Sequence, residues 1–95
     1  MFNNKKGMKR WAIIFRALAN INRLKIINIL SSSKKMNVGD ISRNLHISFK
    51  ATSNHLAILK NIDVLEAEGV NGHVFYSINS KMPNDFRKIL SHLRT

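Results

Sequence analysis

The spacing of apolar residues changes once along this chain, and that change limits the folds open to it. As far as Ile62, apolar side chains return every three or four residues; after Val64 they return at every second residue. The first spacing keeps one face of a helix apolar and the second keeps one face of a strand apolar. Asn71–Gly72 interrupts the alternating stretch, and this pair tolerates the positive φ that a tight hairpin needs. After the break at Asn79–Pro83 the helical spacing returns in Phe86, Ile89, Leu90 and Leu93. The expected fold is mainly α with a small β part (α+β): four helices, a β-hairpin and a last helix. It forms one domain over residues 8–95, behind a loose basic arm at 1–7.

Polar residues mark where the helices begin. Met8, Trp11, Phe15 and Leu18 keep a helical period, and Ala12, Ile13 and Ile14 widen the stripe beyond one buried side. Part of that face is therefore expected to meet a partner. Asn20 or Asn22 can cap a second helix carrying Leu24, Ile27 and Leu30, which stops in the polar run Ser31–Lys35. Asn37 can cap a third helix, Val38–Leu45, and Ser48 a fourth with Thr52, Leu56 and Leu59 on its inner face. His46 lies in the short connection between them, where a left-handed backbone is expected.

Charge then narrows the partner. Sixteen Lys and Arg against five Asp and Glu give a net charge of +11 on 95 residues, which points to a polyanion. The surplus is uneven: residues 1–25 hold no acid, whereas 61–80 hold Asp63, Glu66 and Glu68 and no Lys or Arg. The absence of cysteine excludes disulfides, thiolate metal sites and cysteine nucleophiles. His46, His55, His73 and His92 stand apart without ligand spacing, so no metal, no cofactor and no enzymatic activity are expected. No segment approaches the ~20 apolar residues of a membrane span. The run Trp11–Phe15 is broken by Arg16 and is too short for a secretion signal, so the expected location is the cytoplasm.

Two short helices joined by a tight turn (about 38–62) and followed by a hairpin (about 65–78) describe a helix-turn-helix with a wing. A helix fits the major groove of double-stranded DNA, and its outer side chains reach base edges. On the fourth helix that outer face is Phe49, Lys50, Ser53, Asn54 and Ala57. Asn54 suits adenine, Lys50 guanine or a phosphate, Phe49 a thymine methyl, and Ser53 either a base or a phosphate. Ser48 opens the helix, whose free N–H groups suit a phosphate. His55 is read as a backbone or packing residue, and Arg43, Lys60 and His73 complete the candidate DNA-binding set.

From Ala17 to Ile78 the sequence resembles the ArsR/SmtB group of winged-helix repressors. Ala17–Leu18–Ala19, Arg23–Leu24, Ile29–Leu30, Ser53–Asn54–His55–Leu56 with Leu59, and Val74–Phe75–Tyr76 carry the resemblance. It implies a homodimeric repressor whose first and last helices pack across a two-fold axis. The implied interface is Trp11, Phe15 and Leu18 with Phe86, Ile89, Leu90 and Leu93 of a C-terminal helix at about 83–93. Cysteines common in the group's third helix are replaced by Asn37 and Gly39. The Asp-x-His and His-x-x-Glu pairs of its last helix are replaced by Asp85 with Arg87, and His92 with Thr95. Metal sensing by these two routes is therefore not expected, and the inducer is unknown.

The wing departs as well. Glu66 and Glu68 precede its turn and only His73 follows, so Lys5, Lys6, Lys9 and Arg10 are expected to supply backbone charge instead. Two alternatives compete with a DNA-reading regulator. One is a winged-helix interaction module that does not read DNA, favoured by the acidic segment and opposed by the net charge. The other is attachment of the basic first helix to an anionic membrane, which competes with dimer burial of the same face.

Overall fold

The helix Ile21–Ser32 packs against the helices on either side of it in sequence, against the helix Phe49–Asn61 and against the strand His73–Ile78. The computed structural model describes the backbone of residues 5–93 and side chains from residue 7. In chain order the elements are α1 (Lys5–Leu18), α2 (Ile21–Ser32), β1 (Met36–Asn37), α3 (Val38–Leu45), α4 (Phe49–Asn61), β2 (Leu65–Val70), β3 (His73–Ile78) and α5 (Asn84–Ser91). The winged helix-turn-helix expected from the sequence is the observed fold.

Local chemistry sets the starts of three helices. The side chains of Asn20, Asn37 and Ser48 accept hydrogen bonds from the backbone N–H of Arg23, Asp40 and Ala51. Each satisfies a donor that the first helical turn leaves free. His46 has the left-handed backbone its position demands, with φ 57° and ψ 41°. It ends α3, and the Ile47 N–H turns back to the Ser42 carbonyl at 3.3 Å. Asn71 and Gly72 both have positive φ, 51° and 81°, which matches the twist of the paired strands.

The core gathers where α2, α3, α4 and the base of the wing meet. Ile26, Ile41, Leu56, Leu59 and Val64 have no exposed surface. Thr52 is equally buried, and its hydroxyl donates to the Ser48 carbonyl at 2.8 Å, so no polar atom is stranded.

Several expectations change. Lys5–Gly7, assigned to a loose arm, belong to α1, because lysines propagate a helix once its next turns are packed; residues 1–4 lie outside the described residues. A third strand joins the hairpin. Met36 pairs with Tyr76 and Asn37 with Phe75, giving the antiparallel order β1-β3-β2. Two residues are too few to show any period, so the sequence carried no sign of it.

The apolar stripes of α1 and α5 are divided between this chain's own core and its surface. Trp11, Leu18, Phe86 and Leu90, expected at a partner interface, are buried in this chain's own core. The Trp11 ring lies 6.4 Å from Phe86 and 5.5 Å from Phe15, centre to centre. Arg10 binds Asp85 at 3.2 Å, fastening α1 to α5. With α5 folded back on α1 and α2, the inner rows of both apolar stripes are consumed within one molecule. Phe15, which is 48% exposed, and half-buried Ile89 and Leu93 keep open surface, and Met8 joins them.

Candidate nucleic-acid interface

α4 is amphipathic in the way a reading helix must be. Its inner row, Thr52, Leu56 and Leu59, is fully buried and fixes the helix on the core. Its outer row presents Phe49, Lys50, Asn54 and Ala57 to solvent, with Ser53 half-exposed beside them. Phe49 is 61% exposed, unusual for so large an apolar side chain on a rigid helix. Ser48 caps the same end by accepting from the Ala51 N–H, and Ser48 itself is exposed there.

The structure brings Phe49 beside two residues that the sequence placed far from it. Arg43 of α3, Phe49 of α4 and His73 of the wing line one cleft of about 380 Å³, together with Asn37, Gly39 and Val74. Val74 was not foreseen as part of the interface, since alternation alone cannot say which face of a hairpin will look toward a helix. Arg43 forms an ion pair with Asp40 one turn earlier. Both partners are largely exposed, and such surface pairs hold weakly enough for a phosphate to compete.

Other candidates fall elsewhere. Lys60 is exposed in the last turn of α4, about 15 Å along the axis from Lys50 at the usual rise per residue. His55 faces inward to α2: Arg23 Nε donates to His55 Nδ1 at 3.1 Å, while Arg23 Nη1 donates to the Ala17 carbonyl at 3.0 Å. The imidazole is therefore neutral, with its proton on Nε2. Burial, and then the Arg23 charge, lower its pKa from the ordinary 6.5. Arg23 was read only as part of a family resemblance; its partner lies 32 residues away, beyond any local pattern.

Charge on the wing is divided. Glu66 and Glu68 are exposed on β2, one edge strand, and Lys35 precedes β1 at the opposite edge, its Nζ 5.4 Å from the ring centre of Phe75, the cross-strand partner of Glu68. Of the N-terminal cations expected to replace a basic wing, Arg10 is held by Asp85 and Lys9 is exposed. The side chains of Lys5 and Lys6 lie outside the described residues. Among the described residues no three His, Asp or Glu side chains gather as a metal would need, and no helix is long and apolar enough to cross a membrane.

Residues 20–67 match the model of the bacterial regulatory protein family arsR. The transcriptional repressor SdpR of Bacillus subtilis is 32% identical over 76% of this chain and 79% of its own length. The transcriptional activator HlyU of Vibrio cholerae is 30% identical over 80% of this chain and 69% of its own. The solved structure of HlyU superposes with a TM-score of 0.79 at 27% identity, covering 95% of this chain and 94% of that one. A homodimeric winged helix-turn-helix DNA-binding domain from Mycobacterium bovis shares the fold, with a TM-score of 0.80 at 22% identity over 98% and 82% of the two chains. The chain thus belongs to the arsR family of bacterial regulatory proteins and is a DNA-binding transcriptional regulator.

Proposed function

We propose that the protein is a homodimeric repressor that reads an inverted-repeat operator through the outer face of α4. One observation carries this reading: a helix capped at its N-terminus and buried along its inner row offers Phe49, Lys50, Ser53 and Asn54 outward from a rigid frame. Asn54 makes the base contact, with an amide that matches adenine, and Lys50 takes guanine or a phosphate. Phe49 meets a thymine methyl, and Ser53 a base or a phosphate. Arg43 and His73, across the cleft from Phe49, follow the backbone of the same half-site.

Met8, Ala12 and Phe15 lie on one exposed face of α1 at helical spacing, and Ile89 and Leu93 leave part of α5 uncovered. These residues form the dimer contact, as the homodimeric state of the Mycobacterium bovis domain suggests. Repression rather than activation follows the SdpR relative: a dimer bound at the promoter excludes polymerase. The protein works in the cytoplasm, has no catalytic role, and lacks the metal sites that Asn37, Gly39, Arg87 and Thr95 displace from the family's usual positions.

Selection of the purified protein against a randomised duplex library, at about 150 mM salt to suppress non-specific binding, tests this. Enrichment of an inverted repeat with half-sites about one turn apart is the expected result. Retained DNA without a consensus would reduce the protein to a charge-driven binder. No retention would favour the partner-docking module.

A further inference from the structure

A second cavity, of about 490 Å³, opens on the side of the molecule where α1 ends, α2 begins and α4 finishes. Ile13, Ala17, Ile58 and Ile62 line it together with Arg16, Arg23 and the amides of Asn20 and Asn61. No acid lines it among the described residues. Ile13 is 53% exposed although it faces other apolar side chains, so the cavity offers apolar surface that this chain leaves uncovered. Arg16 is exposed and pairs with no acid among the described residues.

We propose that this cavity is a binding site for a small amphipathic anion, a carboxylate on an aliphatic body. The volume lies within the range of small-molecule sites. Apolar walls accept the hydrocarbon, and two guanidinium groups without a neighbouring acid select a negative head, which accepts charge-assisted hydrogen bonds from them. Arg23 is also the residue that joins the end of α1 to α4 through Ala17 and His55. A carboxylate bound at Arg23 takes the N–H donors that those two bonds leave over, so the ligand engages the side chain that joins α1 to α4. The site stands on the cavity alone and does not depend on what α4 reads.

The test is titration of the full chain, without DNA, with sodium octanoate, followed by methyl and amide NMR. Octan-1-ol serves as the uncharged control of equal length. Saturable binding is expected, with shifts centred on the Ile13, Ile58 and Ile62 methyls and on the His55 ring. Octan-1-ol and the Arg16→Ala variant should each bind about tenfold more weakly, as loss of a charged contact implies. Ile13→Glu, which sets a carboxylate in the cavity mouth, should abolish binding. Both substituted positions are exposed, so the amide spectrum should otherwise persist. The proposal is overturned by the absence of saturation up to about 10 mM. It is equally overturned by shifts centred on Met8 and Phe15, or by equal affinity for octanoate and octan-1-ol.

Discussion

Arg23 Nε donates to His55 Nδ1 at 3.1 Å, joining the first turn of α2 to the middle of α4. The same guanidinium holds the Ala17 carbonyl, so one side chain fixes the end of α1 and the inward edge of α4. The bond exists only while His55 is neutral, because a protonated Nδ1 would present a donor to another donor.

The consequence is a dependence of stability on pH. His55 takes up a proton less readily in the folded protein than in the unfolded chain, whose histidines titrate near 6.5. Between those two values the unfolded state binds more protons, so stability rises with pH. The contribution is full above about 6.5 and is lost as pH falls through the lower folded-state value. Thermal unfolding from pH 7.5 down to pH 5 (about the span of a histidine switch) should show a falling Tm in the native chain and a flatter profile in His55→Gln. Parallel curves would mean that the Arg23–His55 contact carries no linkage. Asp85, lowered chiefly by its hydrogen bond from Arg10, acts in a more acidic window, below its ordinary 3.8.

Phe15 and Trp11 are one turn apart and should behave oppositely. Phe15→Asp places a charge on an exposed face, so the fold should persist while sedimentation shifts from dimer to monomer. Trp11→Ala empties a core site and should cost about 3–5 kcal/mol of unfolding free energy. A dimer that survives Phe15→Asp would remove α1 from the interface.

Lys50 sits in the first turn of α4, where a phosphate contact and a guanine contact are both within reach. If it takes a phosphate, Lys50→Ala should weaken operator and random DNA alike and reduce the log–log salt slope by about 0.9. An unchanged slope, with loss confined to the operator, would assign it to a base.

The elements that depend on neighbouring residues were legible in the sequence. Asn20, Asn37 and Ser48 cap helices because each cap acts on an N–H three residues on, and Asn71–Gly72 makes its own turn. Periodicity also gave α4 its inner and outer rows. It could not say whether an apolar row meets its own chain or a second one, which is why Trp11, Phe15 and Phe86 read alike in the sequence although the fold buries Trp11 and Phe86 and leaves Phe15 exposed. β1 needed Tyr76 and Phe75 to exist at all, and the Arg43–Phe49–His73 cleft needed the wing to fold beside α3. Contacts between distant segments leave no local pattern, so these were the features the chain concealed.

The central claim is that α4 reads bases through Asn54, and paired affinities for the native chain and Asn54→Ala test it most directly. Each protein is titrated at one salt concentration against the selected operator and against a scrambled duplex of equal length. Asn54 is exposed, so the variant should fold as the native chain does. The expected loss is about 1–3 kcal/mol on the operator with little change on the scrambled duplex. Equal losses on both would contradict the account, making Asn54 a backbone contact.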